Sequence, residues 1–137
     1  MTYLGLRKAK QMIKKIYQYK LRTFINASHA IRWSDGQGAI HPHTWEVVLN
    51  IIPPAESTSE VVKFEDIELL VQNYLQKYSG QTLNEMAPFR KINPTLENFA
   101  DVLFDELTAA LNVIQFQLVQ LDLGESAKRF YSISLAN

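Results

Sequence analysis

The sequence predicts an α+β domain in which a four-stranded antiparallel sheet carries two helices on one face. Two observations lead there. Apolar and β-branched residues alternate with period two near both ends of the chain, and two stretches of helical period lie between them, giving the order strand-strand-helix-helix-strand-strand. A third observation is geometric: two helices inserted between two hairpins cannot cover both faces of such a sheet, so one face is left for a partner. Joining several sheets edge to edge into a closed, oligomeric β-barrel would bury that face and remove the exposed strand edges.

Each element has its own justification. Residues 1–15 read as a basic extension, helical from Leu4 to about Lys15, with Leu6, Met12 and Ile13 as a modest apolar stripe; residues 16–137 form the folded domain. Tyr17, Tyr19, Thr23, Phe24 and Ile25 favour a strand from Ile16 to Asn26. The turn-forming stretch Trp33-Ser34-Asp35-Gly36-Gln37-Gly38 reverses the chain into a second strand from about Ile40 to Ile52, which Pro53-Pro54 closes. Ile67, Leu70, Val71, Tyr74, Leu75 and Tyr78 fall at helical spacing within Phe64 to Tyr78. A second helix begins near Asn93-Pro94-Thr95, where proline suits a first turn and Glu97 complements the positive end of the dipole; Leu96, Phe99, Ala100, Leu103, Leu107 and Leu111 give its buried stripe. Strands from Ile114 to Leu123 and from about Lys128 to Leu135 complete the sheet, with Gly124-Glu125 as the expected hairpin turn.

Composition narrows the function classes. With 137 residues, 47% of them hydrophobic and 20% charged, the chain suits one globular domain. No apolar run reaches the roughly 18 residues of a membrane span, and the start lacks the apolar core of a secretory signal, so a cytoplasmic protein that enters no membrane is expected. Without cysteine, any metal or covalent chemistry must use other groups. A formal net charge of zero argues against general nucleic-acid binding. The charges are nonetheless uneven: Arg7, Lys8, Lys10, Lys14, Lys15, Lys20 and Arg22 all precede the first acidic residue, Asp35. This basic start is either a contact for an anionic partner or a solvated helix face followed by a strand, and the lack of an aromatic platform favours the latter.

The three histidines are His29, His41 and His43. Side chains at i and i+2 of a strand share a face, so His41-Pro42-His43 aims two imidazoles together, and a hairpin can bring His29 beside them. Three imidazoles with a fourth position open suit a catalytic-type zinc site, although the same spacing also fits ordinary surface or core histidines.

Four motifs carry a family resemblance: Phe24-Ile25-Asn26-Ala27-Ser28-His29, His41-Pro42-His43-Thr44-Trp45, Leu83-Asn84 and Pro94-Thr95-Leu96-Glu97-Asn98-Phe99-Ala100. In order and placement they resemble the first zinc-ligand motif, the His-Gly-His-x-aromatic motif, the Leu-Asn pair and the Pro-Thr-x-Glu-Asn-x-Ala motif of the 6-pyruvoyl/6-carboxy-tetrahydropterin synthases. The resemblance spans about Ile16 to Leu135. It implies the tunnelling fold, zinc on His29, His41 and His43, and a homo-oligomer, commonly a hexamer of two trimers. It also implies lyase-type chemistry on 7,8-dihydroneopterin triphosphate, with zinc polarising side-chain oxygens while a protein base moves carbon-bound protons.

The chain departs from that family where the chemistry is done. The usual base is a cysteine in the loop before His-x-His, aided by an Asp-His pair ahead of Leu-Asn; here Ile31 to Ile40 holds no cysteine, and Ser79 and Gly80 stand at the pair's positions. Lys63 replaces an expected aspartate, and Leu123 falls where a pterin-anchoring glutamate is expected. Leucine cannot accept the two hydrogen bonds that a carboxylate offers a pterin edge. Asp122 would substitute only if a bulge turned it to that face, and Glu125 is the other candidate. Thr95 is either a ligand contact or a helix cap. Asp35 is either a replacement base or a turn former before Gly36. The expected protein is therefore a zinc-binding, catalytically degenerate relative that binds a pterin or purine-like ligand. The alternatives are an active zinc enzyme using Asp35, and a scaffold that contacts a macromolecule through its basic start.

Overall fold

A computed structural model of the chain describes residues 14–54 and 63–136. Its elements are β1 (Tyr19–His29), β2 (Arg32–Trp33), β3 (Gly36–Gln37), β4 (His41–Ile52), α1 (Phe64–Leu75), α2 (Leu96–Asn112), β5 (Gln117–Ser126) and β6 (Arg129–Ser134). The long strands form one antiparallel sheet in the order β1-β4-β5-β6, and β2 and β3 make a separate small hairpin between β1 and β4. This is the predicted α+β arrangement. The helix expected from Leu4 to Lys15 lies outside the described residues except for Lys14 and Lys15, which are in no regular element.

The period-two pattern decides which face is dry. Leu21, Ile25 and Ala27 of β1, Trp45, Val47, Leu49 and Ile51 of β4, and Leu121 and Leu123 of β5 are all buried. Ile67, Val71 and Leu75 of α1 and Phe99, Leu103, Leu107 and Leu111 of α2 supply the facing stripes. Phe99 sits at the centre, its ring meeting Trp45, Tyr78 and Phe89 edge-on at 5.1, 5.3 and 5.6 Å between centroids. Thr95 caps α2, its side-chain oxygen accepting from the N–H of Asn98. Where the helices meet, Glu106 of α2 accepts from the hydroxyls of Tyr74 and Tyr78 and from the ammonium of Lys77. Burial works to raise the Glu106 pKa, but the bonds from Lys77, Tyr74 and Tyr78 outweigh it and hold the carboxyl below its usual range.

The opposite face of the sheet bears Arg22, Phe24, Glu46, Asp122 and Phe130, with Phe24 57% exposed. The strand edges at β1 and β6 do not meet, so one chain by itself closes no barrel.

Boundaries moved in ways that matter for the site. β1 runs three residues beyond Asn26, which puts His29 on the sheet rather than after it. Glycine and glutamate at 124 and 125 do not turn the chain: β5 continues to Ser126, and the reversal falls at Ala127 and Lys128. The cause is cross-strand. The Phe130 ring lies over Gly124 so closely that a Cβ there would meet it at 2.5 Å, so this glycine serves close packing within a strand. The pairing of β5 with β6 then slips between Gly124 and Ser126, leaving Glu125 without an opposite residue. Pro42 fits its strand because the N–H of its partner Ser28 points outward, to the carbonyl of Gln81; the N–H that proline lacks would point the other way, where β4 has no neighbour opposite residue 42.

Candidate metal centre

His29 and His41 are directly opposite one another at the ends of β1 and β4, and His43 is two residues along on the same face. The three rings converge, with centroids 4.5 Å apart for His29 and His41, 5.0 Å for His29 and His43, and 4.8 Å for His41 and His43. The buried indole of Trp45 forms the floor, edge-on to His29 at 4.9 Å and to His43 at 5.2 Å, and its own N–H is spent on the carbonyl of Ala27. Sheet register assembles the trio, and the core aromatic below limits how far the rings can sink.

The hydrogen bonds choose the tautomers. His29 Nδ1 lies 2.7 Å from the carbonyl oxygen of Pro94, which can only accept, so Nδ1 carries the proton and Nε2 keeps a free lone pair. His41 Nδ1 is bound in the same way to the carbonyl of Ala39 at 2.9 Å. His29 is 1% exposed, and its Nε2 has no hydrogen-bond partner among the described residues. A buried, orphaned acceptor is costly unless something occupies it. Burial lowers the His29 pKa and His41 and His43 lower it further, against the opposing Pro94 bond and the Glu125 charge, so the surroundings favour the neutral ring. One ligand atom from each histidine lies within 4.8 Å of the others. His29 and His41, each held by a backbone carbonyl on Nδ1, and His43 beside them offer one ligand nitrogen apiece within reach of a common point, a donor set of the kind that suits zinc.

Around the trio lies a cleft lined by Ile31, Thr95, Leu96, Glu97, Glu125 and Arg129. Glu125 reaches toward the histidines, one oxygen 4.0 Å from His43 Nε2 and the other accepting from Arg129 at 2.9 Å. Glu125 therefore stands with the histidines. Asp122 does not: it is on the opposite face, where its Oδ1 accepts from Ser132 and Gln120. Of the two irregularities of β5, one against β4 beside Asn50 and Ile51 and one against β6 after Gly124, neither turns Asp122 to the cleft face. Thr95 borders the cleft while capping α2. Asp35 is exposed in the turn between β2 and β3 and does not border the cleft of its own chain. Glu97 and Arg129 were not anticipated as site residues. Nothing in the local pattern marks Arg129, whose place depends on a hairpin turn set three residues later than glycine suggested.

No helix among the described residues is long and apolar enough to cross a membrane. The family model described as 6-pyruvoyl tetrahydropterin synthase matches residues 18–135. Among solved structures, the chain is similar to 6-pyruvoyl tetrahydropterin synthase from Caenorhabditis elegans, with a TM-score of 0.69 at 15% identity over 90% of this chain and 100% of that one. It is also similar to the Plasmodium vivax synthase, with a TM-score of 0.65 at 11% identity over 88% of this chain and 98% of that one. A third similar structure, an uncharacterized protein from Wolinella succinogenes, gives 0.58 at 11% identity over 86% and 98%. No curated protein sequence matches the chain.

Proposed function

The chain belongs to the 6-pyruvoyl tetrahydropterin synthase family, and on that footing we propose that it is a zinc-binding, cytoplasmic member that has lost the usual catalytic apparatus and binds a pterin or purine-like ligand in the histidine cleft. The observation that carries the metal half is the buried Nε2 of His29, unpartnered and facing two further imidazoles. His29, His41 and His43 would hold the ion, which supplies Lewis acidity toward a ligand oxygen at the open fourth position. Glu125 is the carboxylate placed to accept hydrogen bonds from a heterocycle's amino and ring N–H groups; Thr95 borders the same cleft. Loss of catalysis rests on the lack of a cysteine in Ile31 to Ile40 and on Ser79 and Gly80 standing where the assisting Asp-His pair belongs. Assembly into a closed homo-oligomer, trimer-based or hexameric, would cover the sheet face that bears Phe24 and Phe130 and pair the edges at β1 and β6.

A second reading retains turnover, with Asp35 as the base. Two Plasmodium vivax structures are described as variants of a catalytic residue, a glutamate, so a catalytic carboxylate has a precedent among similar proteins. One experiment separates the readings. Tag-free, zinc-loaded protein is given 7,8-dihydroneopterin triphosphate, and products are separated chromatographically beside Asp35→Ala. Binding without product supports the degenerate reading, product lost in the variant supports Asp35, and protein that takes up no zinc defeats both.

A further inference from the structure

Along the edge turned away from β3, the segment after β1 has a β-strand's hydrogen bonds without a strand beside it. Asn84 accepts from the N–H of Ala30 and donates to the carbonyl of Ala30, both at 2.8 Å. Asn93 does the same to Arg32, accepting at 2.9 Å and donating at 2.7 Å. Each side-chain amide thus reproduces both bonds of a sheet ladder, on two residues whose backbone groups share one edge of an extended segment. The residue between them faces the other way, the carbonyl of Ile31 accepting from the N–H of Gly38 at 2.8 Å. Residues 30–32 are gripped from both sides.

The grips are themselves anchored. The chain before Asn84 is tied to β1 by bonds from Gly80 N–H to Asn26 O at 2.7 Å and from Ser28 N–H to Gln81 O at 2.9 Å. On the other side, Asn98 in the first turn of α2 donates from its side chain to the Asn93 carbonyl at 2.9 Å. Pro94, next in sequence, supplies the carbonyl that fixes the His29 ring. Asn93 and Pro94 therefore hold the backbone at residue 32 and the ring at residue 29 as one unit, and Asn84 holds the residue immediately after His29.

We propose that Asn84 and Asn93 are positioning residues of the histidine centre, an amide clamp that keeps Ala30–Arg32 extended and so aims His29 Nε2 at the point where His41 and His43 converge. This rests on the reading of the trio as a zinc site. Only an amide serves: aspartate accepts but cannot donate when ionised, and alanine does neither.

The test uses metal-free full-length protein, zinc titration against a chromophoric chelator, and the visible absorption of the cobalt-substituted protein, which reports ligand geometry. Folded Asn84→Asp and Asn93→Asp should each bind zinc about 10- to 100-fold more weakly than wild type and show altered cobalt bands. Glu106→Gln, which loosens the helix pair but not the clamp, should leave both readouts unchanged. Wild type that binds zinc while both folded clamp variants match its affinity and cobalt spectrum would overturn the clamp alone. Wild type that takes up no zinc would overturn the metal reading and the clamp with it. Should the variants fail to fold, amide exchange in wild type decides. Protection at Ala30 and Arg32 equal to that of strand residues is expected, and exchange at the rate of an exposed loop would sink the proposal.

Discussion

Glu106 and the histidine trio are both polar clusters at the margin of the same core, and their hydrogen bonds are in opposite states. The Glu106 carboxylate is saturated by two phenols and an ammonium contributed by the neighbouring helical segment, whereas His29 keeps a buried nitrogen with nothing on it. A perturbed pKa occurs in both, so perturbation does not tell a site from a brace. Satisfaction does. Donors and acceptors that balance within the chain stabilise the fold, and acceptors left facing one another call for something from outside.

The largest effect that could break this contrast is on metal binding. His41→Ala removes one of three protein ligands, and zinc measured by atomic absorption on tag-free protein should fall from one per chain to near zero. Added zinc should raise the melting temperature of wild type and not of the variant. Full zinc in the variant would move the ion elsewhere. Glu106→Ala should do the reverse. It strands the hydroxyls of Tyr74 and Tyr78, costs about 1–3 kcal/mol in chemical denaturation and leaves zinc stoichiometry alone. Lys77, with 46% of its side chain exposed, adds little to that loss.

The pH dependence sharpens the same comparison by a smaller amount. The folded pKa of Glu106 is depressed, so its contribution is present above the unfolded value, near 4.5, and is lost as pH falls through the folded value. Wild-type stability should therefore drop in the acid range below about pH 4.5, and Glu106→Gln should flatten that drop. Parallel acid profiles for the two proteins would show that the bonds to Glu106 do not favour its charged form.

How much of this was legible in the sequence differs between the two clusters. The trio was readable because it depends on short-range rules: two side chains two apart on a strand share a face, and a hairpin returns the third. The helices were readable from their stripes, Ile67-Val71-Leu75 and Phe99-Leu103-Leu107-Leu111. The Glu106 brace was not, because three donors separated from it by about thirty residues meet it only through helix packing. Gly124 misled for a related reason. A glycine beside a glutamate has the composition of a turn, and only the Phe130 ring above it reveals that the missing Cβ serves packing. That error set Glu125 in the turn, as one candidate beside Asp122, which its place on the opposite face of β5 excludes. Asn84 was visible as a motif residue and Asn93 only as the start of a helix, but their work lies in bonds to backbone more than fifty residues away.

Thr95 belongs to both halves of the comparison and gives the smallest expected effect. It begins the helix that carries Glu106, and it borders the histidine cleft. Its side-chain oxygen accepts from the N–H of Asn98 at 3.1 Å, so Thr95→Ala should cost about 1 kcal/mol of stability, and Thr95→Ser should recover most of it by keeping the oxygen. Neither change should alter zinc affinity, since Thr95 is not among the convergent ligand atoms. The informative pair of measurements is stability and ligand binding on both variants. If serine restores stability and ligand affinity together, the oxygen serves the cap and the ligand depends on the helix start being formed. If serine restores stability but not ligand affinity, the threonine methyl is itself a wall of the cleft, and the residue contacts the ligand in addition to closing the helix.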